Sequence, residues 1–318
     1  MTHEFHHPTK VAIVGLGNVG ASLAFALTIN GLAKEMVLID ANRAKAEGEA
    51  MDLNHTVPLT QPAKIWAGDY TDCAGAAVTV ITAGSAQKPG ETRLDLAGRN
   101  ANIFRQIVPE IVKNNPTGII IVASNPVDVL TYAAWKISGL PSARVIGSGT
   151  LLDTARFRYL LSQKFDVDAR SVHAYVIGEH GDSEVPVWSL ANIGGMRLPV
   201  FCAANGLSCE QSNLDDIFTQ TRNAAYEIIQ RKGATYYAIG VGLMRIMEAI
   251  IRDQGTVLSV STLIRDYYCI NDVYLSLPSV IDAEGVVRSL RLDLDEQEMT
   301  GLCHSAEVLK STLKTIGF

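Results

Sequence analysis

The stretch VAIVGLGNVG, residues 11–20, decides the fold of this chain. Four apolar residues predict a buried strand, and Gly15, Gly17 and Gly20 follow it in GxGxxG spacing where a helix begins. At such a turn the backbone can approach a pyrophosphate, and the helix N-terminus offers amide groups and a favourable dipole. The pattern predicts a dinucleotide site, although glycines in this spacing also occur in turns that bind nothing.

A carboxylate at the end of the next strand strengthens this interpretation. The apolar run 36–39 ends in Asp40, twenty residues beyond Gly20. A carboxylate there accepts hydrogen bonds from a ribose diol and repels a 2′-phosphate, so a nicotinamide or flavin site is expected, with NAD favoured over NADP. Arg43, just beyond, keeps the NADP alternative open.

Apolar runs alternate with helical stretches through the first half. The predicted strands are 11–14, 36–39, 78–82, 119–122 and 144–146, and the predicted helices are 18–30, 43–55, 93–114 and 126–138. Runs that are apolar throughout are typical of parallel strands covered on both faces. The pattern predicts an α/β fold, a doubly wound parallel Rossmann sheet in residues 1–148.

The alternation of apolar runs and helical stretches ends after residue 148. We expect a helix over 151–164, short strands over 172–177, a helical region over 214–252, tail strands with Leu290, Leu292 and Leu294 on one face, and a closing amphipathic helix that carries Leu302 and Leu309. Residues 149–318 are therefore predicted to form a second, mixed α+β domain.

Composition excludes several classes of protein. The chain has 27 Lys and Arg against 33 Asp and Glu, which gives a net charge of −6 and makes nucleic acid an unfavourable partner. There is no apolar run long enough for a membrane span and no secretory pattern at the N-terminus, so a cytoplasmic location without membrane contact is expected. Only 19% of the residues are charged, which favours burial between subunits of an oligomer.

The five cysteines predict no disulfide frame. They are odd in number and include no CxxC pair, so reduced and mostly buried thiols are expected at positions 73, 202, 209, 269 and 303.

Four motifs carry a family resemblance over essentially the whole chain. They are AQKPGETR (86–93), ASNPVD (123–128), GSGTLLDTARFR (147–158) and IGEHGDSE (177–184). In this order they closely resemble the L-lactate dehydrogenases, in particular the allosteric bacterial type, within the lactate and malate dehydrogenase family. The resemblance implies an NAD-dependent enzyme that interconverts pyruvate and L-lactate, assembled as a homotetramer.

The resemblance implies that His180 is the acid/base and Asp153 its carboxylate partner. The chemistry agrees, because a carboxylate on one ring nitrogen fixes the tautomer and raises the imidazole pKa. The alternatives are a structural histidine and a metal ligand. A metal is disfavoured because His173, seven residues away, is the nearest further histidine and no HxxxH pair exists.

The remaining substrate contacts also follow from the resemblance. Arg156 matches the clamp for the substrate carboxylate, where a guanidinium binds in bidentate fashion, although it could instead pair with Asp153 within the helix. Arg93 would close with its loop near the reacting oxygen, and Asn125 would bond near the same oxygen and the nicotinamide ribose. The other cofactor positions implied are Val19, Tyr70, Gly84 and Ser148, which as isolated residues would pass for packing or turns.

Gln87 decides the expected substrate. It matches a loop position that resembles glutamine in lactate enzymes and arginine in malate enzymes, and Thr235 resembles the small polar residue beside the substrate methyl group. Enclosing the second carboxylate of oxaloacetate without a cation would cost several kcal/mol, so pyruvate is favoured.

Arg158 and His173 match positions of a fructose 1,6-bisphosphate site between subunits, which implies allosteric activation. The alternatives kept open are a malate or other 2-hydroxyacid dehydrogenase, a protein that senses NAD without turnover, and a hydrolase that uses the GEHGDSE segment as a metal site.

Overall fold

The computed structural model describes residues 10–85 and 92–318, without the side chain of Arg93. Its helices are α1 (Asn18–Asn30), α2 (Arg43–Thr56), α3 (Arg93–Asn114), α4 (Val127–Ser138), α5 (Leu151–Phe165), α6 (Leu198–Asn205), α7 (Gln211–Lys232), α8 (Tyr237–Ile251) and α9 (Glu296–Thr315). Its strands are β1 (Lys10–Val14), β2 (Glu35–Ile39), β3 (Lys64–Ala67), β4 (Val78–Ile81), β5 (Ile119–Val122), β6 (Val145–Gly147), β7 (Val172–His173), β8 (Val176–Ile177), β9 (Val185–Pro186), β10 (Asn192–Ile193), β11 (Met196–Arg197), β12 (Thr256–Ile264), β13 (Val273–Asp282) and β14 (Gly285–Ser289).

The main sheet runs across both halves of the chain. Its strand order is β14-β13-β12-β6-β5-β4-β1-β2-β3. Strands β1 to β6 pair in parallel, and β12 to β14 continue the sheet in antiparallel fashion, joined to it where Ser261 lies opposite Gly147. The doubly wound parallel sheet is therefore confirmed, and the second half of the chain extends it at one edge.

Helices cover both faces of the sheet and bury its apolar strands. On one face, α1, α2 and α8 enclose a core that includes Ile13, Leu23 and Met247. On the other face, α3 and α4 pack over a core that includes Val14 and Phe104. Because the central parallel strands β1, β2, β4 and β5 are buried on both sides, they lack the alternation of a half-exposed sheet, which is why their sequences are largely apolar.

The predicted elements of the second half needed correction. No strand carries Leu290, Leu292 and Leu294, because β14 ends at Ser289. The long strands β12 and β13 were missed, since hydroxyl residues such as Ser259 and Ser261 interrupt their apolar pattern although both are buried. The helical region expected over 214–252 is divided into α7 and α8, where Gly233 adopts a φ of 86° that a continuing helix cannot contain.

Smaller differences concern the ends of the first-half elements. The edge strand β3, whose first residue is exposed, was missed because four residues show no clear period. Strand β6 begins at Val145 rather than residue 144, because Ser142–Arg144 forms a 3-10 turn. The other differences at element ends are of one residue or so, as helix and strand termini commonly show.

The prediction of reduced cysteines was wrong for four of the five. Cys202 is bonded to Cys209 and Cys269 to Cys303, while Cys73 is free and buried. The second pair joins the segment after β12 to α9, positions 34 residues apart in sequence. Neither partner choice can be read from spacing, because connectivity depends on which chain segments the fold brings together.

No helix in residues 10–85 and 92–318 combines the length and the apolar character that crossing a membrane requires.

A tight corner at the end of β6 positions α5. Gly149 has a φ of 53°, and a Cβ built there would lie 2.5 Å from the Ser261 nitrogen. The next residue, Thr150, donates its backbone N–H to Ser276 Oγ at 3.0 Å and its hydroxyl to the Val176 carbonyl at 2.5 Å. These bonds fix the first turn of α5 against β12, β13 and β8.

Gly149→Ala should therefore destabilise the protein by at least about 2 kcal/mol, from the left-handed backbone and the contact with the neighbouring strand. Gly48→Ala is the matched control, because Gly48 lies in α2 with nothing within 4 Å of a built Cβ and should become more stable by about 0.5–1 kcal/mol. Urea unfolding at a fixed protein concentration measures both, and equal stability of the two variants would contradict the argument.

Candidate active site

The glycine turn after β1 has the shape that a pyrophosphate site needs. Gly15 has a φ of 99°, and a Cβ built on it would lie 2.4 Å from the Ala83 nitrogen. A Cβ on Gly20 would lie 2.0 Å from the Gly15 oxygen, so the start of α1 packs closely against the turn. Gly17 has nothing within 4 Å of its built Cβ, which leaves its surface open to a ligand. The residues present thus fit a dinucleotide.

Asp40 is held at the end of β2 beside this turn. Its Oδ2 accepts the Leu16 N–H at 2.7 Å, and its Oδ1 accepts the Asn42 N–H at 2.8 Å. The guanidinium of Arg43 is already engaged, because it donates to Glu47 Oε1 at 3.0 Å and to the Gly68 carbonyl at 2.9 Å. A fixed carboxylate and an occupied arginine both disfavour a 2′-phosphate.

The other predicted cofactor residues lie around the carboxyl ends of the parallel strands. Val19 and Tyr70 are partly buried against the two cores that flank the sheet. Gly84 follows β4, Ser148 follows β6 and is buried, and Asn125 is exposed after β5. This edge of a doubly wound sheet is where such folds bind ligands.

His180 and Asp153 lie in direct contact at the same edge. The His180 Nδ1 is 2.5 Å from Asp153 Oδ2. Asp153 lies in the first turn of α5 and is 2% exposed, whereas the His180 side chain keeps 26% of its surface accessible. The His180 backbone N–H donates to Asp128 Oδ2 at 2.7 Å, which ties the histidine to the start of α4. Residues from separate segments are thus brought together after β5 and β6.

This contact stabilises the protonated imidazole. Burial acts to lower the pKa of His180, but the Asp153 charge and hydrogen bond outweigh it, and with Asp128 and Glu184 they raise the pKa to about 9. Burial acts to raise the pKa of Asp153, yet the His180 charge, its hydrogen bond and Arg156 hold that pKa below its ordinary value. The pair is therefore an imidazolium and a carboxylate near neutral pH.

Arg156 shares the same carboxylate. Its Nη1 donates to Asp153 Oδ1 at 2.8 Å, and its side chain is 13% exposed. The ion pair within the helix, which the sequence left as an alternative to a substrate clamp, is therefore present. It engages one edge of the guanidinium, which has five N–H donors in all.

The sequence did not indicate that two further carboxyl groups lie close to His180. Asp128, in the first turn of α4, is 2% exposed, and burial raises its pKa to about 6. Glu184, four residues after His180, is 7% exposed, and burial raises its pKa to about 8. Both lie inside motifs that the sequence singled out, but nothing in a motif's spacing tells whether a carboxylate points outward or inward.

The expectation that His180 has no other metal-ligating group close to it is wrong. Ligand atoms of Asp153, His180 and Glu184 lie within 4.8 Å of one another, so ligands lacking along the sequence are close in space. Both Asp153 oxygens, however, already bond to Arg156 and His180. Asp153, His180 and Arg156 therefore form an ion-pair network in which both Asp153 oxygens are engaged.

The remaining predicted site residues are placed with less detail. Gln87 lies outside the described residues, and Arg93 begins α3 with a side chain that is not described. Thr235 lies in the loop between α7 and α8 and is partly buried. Arg158 donates to the Ala169 carbonyl at 3.3 Å, and His173 is exposed on β7.

Two models of known protein families match this chain. The lactate/malate dehydrogenase NAD binding domain matches residues 9–147. The lactate/malate dehydrogenase alpha/beta C-terminal domain matches residues 150–317. The chain therefore belongs to the lactate/malate dehydrogenase family.

Its similar relatives are bacterial L-lactate dehydrogenases. The chain is 54% identical to L-lactate dehydrogenase of Priestia megaterium, with 95% of each chain covered. It is 50% identical to L-lactate dehydrogenase 1 of Clostridium acetobutylicum, with 97% of this chain and 98% of the relative covered.

Solved structures agree with this grouping. A minor L-lactate dehydrogenase from Enterococcus mundtii superposes with a TM-score of 0.93 at 46% identity, covering 96% of this chain and 98% of that one. A lactate dehydrogenase from a deep-sea metagenome library of the Medee basin superposes with a TM-score of 0.94 at 47% identity, covering 97% and 99%. The predicted resemblance to L-lactate dehydrogenases, the enzyme class and NAD as cofactor are thereby confirmed.

Asp153→Asn should lower the pKa of His180 from about 9 by about 1 to 3, because the neighbouring charge is lost while burial remains. NMR of the protein with labelled histidine follows this titration directly. Asp168→Asn is the control, since Asp168 is an exposed carboxylate paired with Arg170 on the surface. An unchanged His180 titration in Asp153→Asn would show that another group holds the proton.

Proposed function

We propose that this enzyme catalyses the reversible reduction of pyruvate to L-lactate, with His180 as the acid/base and Arg156 as the carboxylate clamp. The observation that carries the proposal is the contact between His180 and the buried Asp153 at the ligand-binding edge of a dinucleotide fold, where the Asp153 charge raises the pKa of His180 to about 9. A ketone oxygen that gains electrons needs a proton donor at that position.

Each residue of the site has a separate role in the reaction. Bound NADH supplies the hydride to the ketone carbon. His180 donates a proton to the ketone oxygen from Nε2, since Nδ1 faces Asp153. Asp153 keeps the ring oriented and offsets its positive charge, and in the reverse direction neutral His180 accepts the hydroxyl proton. Arg156 binds the substrate carboxylate with the N–H groups that Asp153 does not use.

Further residues that contact the substrate are proposed from the resemblance to L-lactate dehydrogenases. Arg93 adds positive charge near the developing alkoxide, and Asn125 donates beside it. By the resemblance, Gln87 and Thr235 would border the substrate methyl group, and neither residue carries a cation for a second carboxylate. The alternative substrate is oxaloacetate or another 2-hydroxyacid precursor, which would need a cation where Gln87 stands.

Gln87→Arg should lower the ratio of kcat/KM for pyruvate to kcat/KM for oxaloacetate by a factor on the order of 100 or more. The reason is that the new arginine pairs with the second carboxylate of oxaloacetate, which would otherwise be buried without a cation. NADH oxidation with each substrate measures the ratio. The unaltered enzyme should prefer pyruvate, and an equal or inverted preference would contradict the assigned substrate.

We further propose activation by fructose 1,6-bisphosphate at Arg158 and His173. In support, Arg158 Nε is buried and has no hydrogen-bond partner among the described residues. Its helix, α5, packs against β7, which presents the exposed His173. An arginine and a histidine on adjacent elements suit a phosphate, and a two-fold axis would double the site.

A homotetramer in the cytoplasm completes the proposal. Exposed apolar side chains occur in i, i+4 pairs on two helices that pack together: Phe25 and Ile29 on α1, and Tyr237 and Val241 on α8. An apolar strip of this kind on adjoining helices is typical of a surface that another subunit covers.

Fructose 1,6-bisphosphate should lower the pyruvate concentration at half-saturation, and Arg158→Gln should abolish that effect while leaving the rate at saturating pyruvate unchanged. Steady-state kinetics with and without the sugar bisphosphate test this, and sedimentation gives the subunit number. An unmoved saturation curve would contradict the effector site, and a monomer would contradict both the tetramer and a site between subunits.

A further inference from the structure

Glu184 is a buried acid at the active site that the reaction as described leaves unused. It lies between β8 and β9, just after His180, and its backbone N–H donates to the Gly181 carbonyl at 3.3 Å. Its side chain turns inward and is 7% exposed. The Oε1 atom is buried and has no hydrogen-bond partner within the described part of the chain. Such a group is costly to bury, so its position calls for a role.

The surroundings of Glu184 are the ion-pair network itself. Its carboxylate lies within 4.8 Å of ligand atoms of both His180 and Asp153. His180, Arg156 from α5 and Arg222 from α7 are the cations that act on it, and Asp153 is the anion. His180 in turn is faced by Asp153 from α5, Asp128 from α4 and Glu184 from its own loop. Glu184 is thus one of three carboxyl groups around a single imidazole.

We propose that Glu184 is a positioning residue for the reaction: its buried carboxyl group, adjacent to the His180–Asp153 pair, keeps His180 protonated as the solution becomes alkaline. The inference rests on the proposed role of His180 as acid/base. Glu184 acts through His180 and touches neither the substrate nor the reacting atoms, and no proton passes through it.

Ionisation of Glu184 beside the protonated ring explains why a buried acid is useful here. Burial, followed by the Asp153 charge, raises the pKa of Glu184 to about 8, and the Asp153 charge holds the pKa of His180 at about 9. When Glu184 loses its proton, its negative charge stabilises the neighbouring imidazolium. Because the two groups are coupled, their titrations are properties of the pair.

Below this range Glu184 stays uncharged, which matters for substrate binding. Pyruvate carries a carboxylate, and Arg156 lies beside both Asp153 and Glu184. A permanently ionised Glu184 would compete for that arginine and repel the substrate. A carboxyl group that ionises only at high pH avoids this cost where the enzyme works near neutrality.

Glu184→Gln tests the proposal, because it keeps the size and polarity of the side chain but cannot ionise. The pH profile of kcat/KM for pyruvate reduction should keep its plateau well below pH 8, and its alkaline midpoint should fall by about one pH unit. The midpoint at which lactate oxidation rises should also move to lower pH, since that direction needs neutral His180. Loss of correctly folded enzyme lowers a plateau but moves no midpoint.

Two further variants complete the experiment. Glu184→Asp keeps an ionisable group and should restore most of the midpoint shift. Glu227→Gln makes the same chemical change on α7, at an exposed residue paired with Arg231, and should move neither midpoint. Unmoved midpoints in Glu184→Gln would overturn the proposal, as would a shift of equal size in Glu227→Gln.

The outcome also separates this inference from the proposed function. His180→Asn should lower kcat/KM for pyruvate by about 100-fold or more at every pH. If it does so while Glu184→Gln leaves both midpoints in place, the acid/base assignment stands and the role of Glu184 is wrong. If His180→Asn keeps full activity, the proposed function itself fails.

Discussion

One buried negative charge organises the active site of this enzyme. Asp153 is 2% exposed, and each of its carboxylate oxygens accepts a hydrogen bond from a different cation, His180 on one side and Arg156 on the other. A carboxylate buried without partners would be protonated or would destabilise the fold by several kcal/mol. The two functional side chains are therefore held in place by the same requirement that keeps Asp153 ionised.

The fold supplies the rigidity that this arrangement needs. Asp153 lies one turn into α5, and the corner before it is fixed by Thr150, which bonds to Ser276 and to the Val176 carbonyl. His180 lies shortly after β8, and Gly178 between them forms an antiparallel bridge with Ser276 on the main sheet. The antiparallel extension of the sheet thus connects His180, the proposed acid/base, to the dinucleotide half of the molecule, and a shift of either element would separate the ion pair.

Sequence patterns predicted the parts that depend on local rules. Strands covered on both faces must be apolar throughout, so the parallel sheet could be inferred from the apolar runs of the first half. A glycine turn followed by Asp40 is typical of a site for a pyrophosphate and a ribose, so the cofactor could be inferred from residues 11–40. The strands β12 and β13 could not, because buried serines interrupt their apolar runs, and two of these, Ser259 and Ser276, bond to segments far away in sequence. The disulfides and the inward orientation of Asp128 and Glu184 depend on contacts between segments far apart in sequence, which no local period encodes. The resemblance placed His180 and Asp153 together, but not the acids around them.

The three carboxyl groups around the His180 imidazole differ in pKa because their surroundings differ. Asp153, with two cations, has a lowered pKa, whereas burial raises the pKa of Asp128 to about 6 and that of Glu184 to about 8. These surroundings determine which of them carries a proton, and neutron diffraction from deuterated crystals grown near pH 7 measures this directly. Deuterium should occupy both ring nitrogens of His180 and one oxygen of Glu184, and should be absent from Asp153. Deuterium on Asp153 beside a singly protonated ring would contradict the central ion pair.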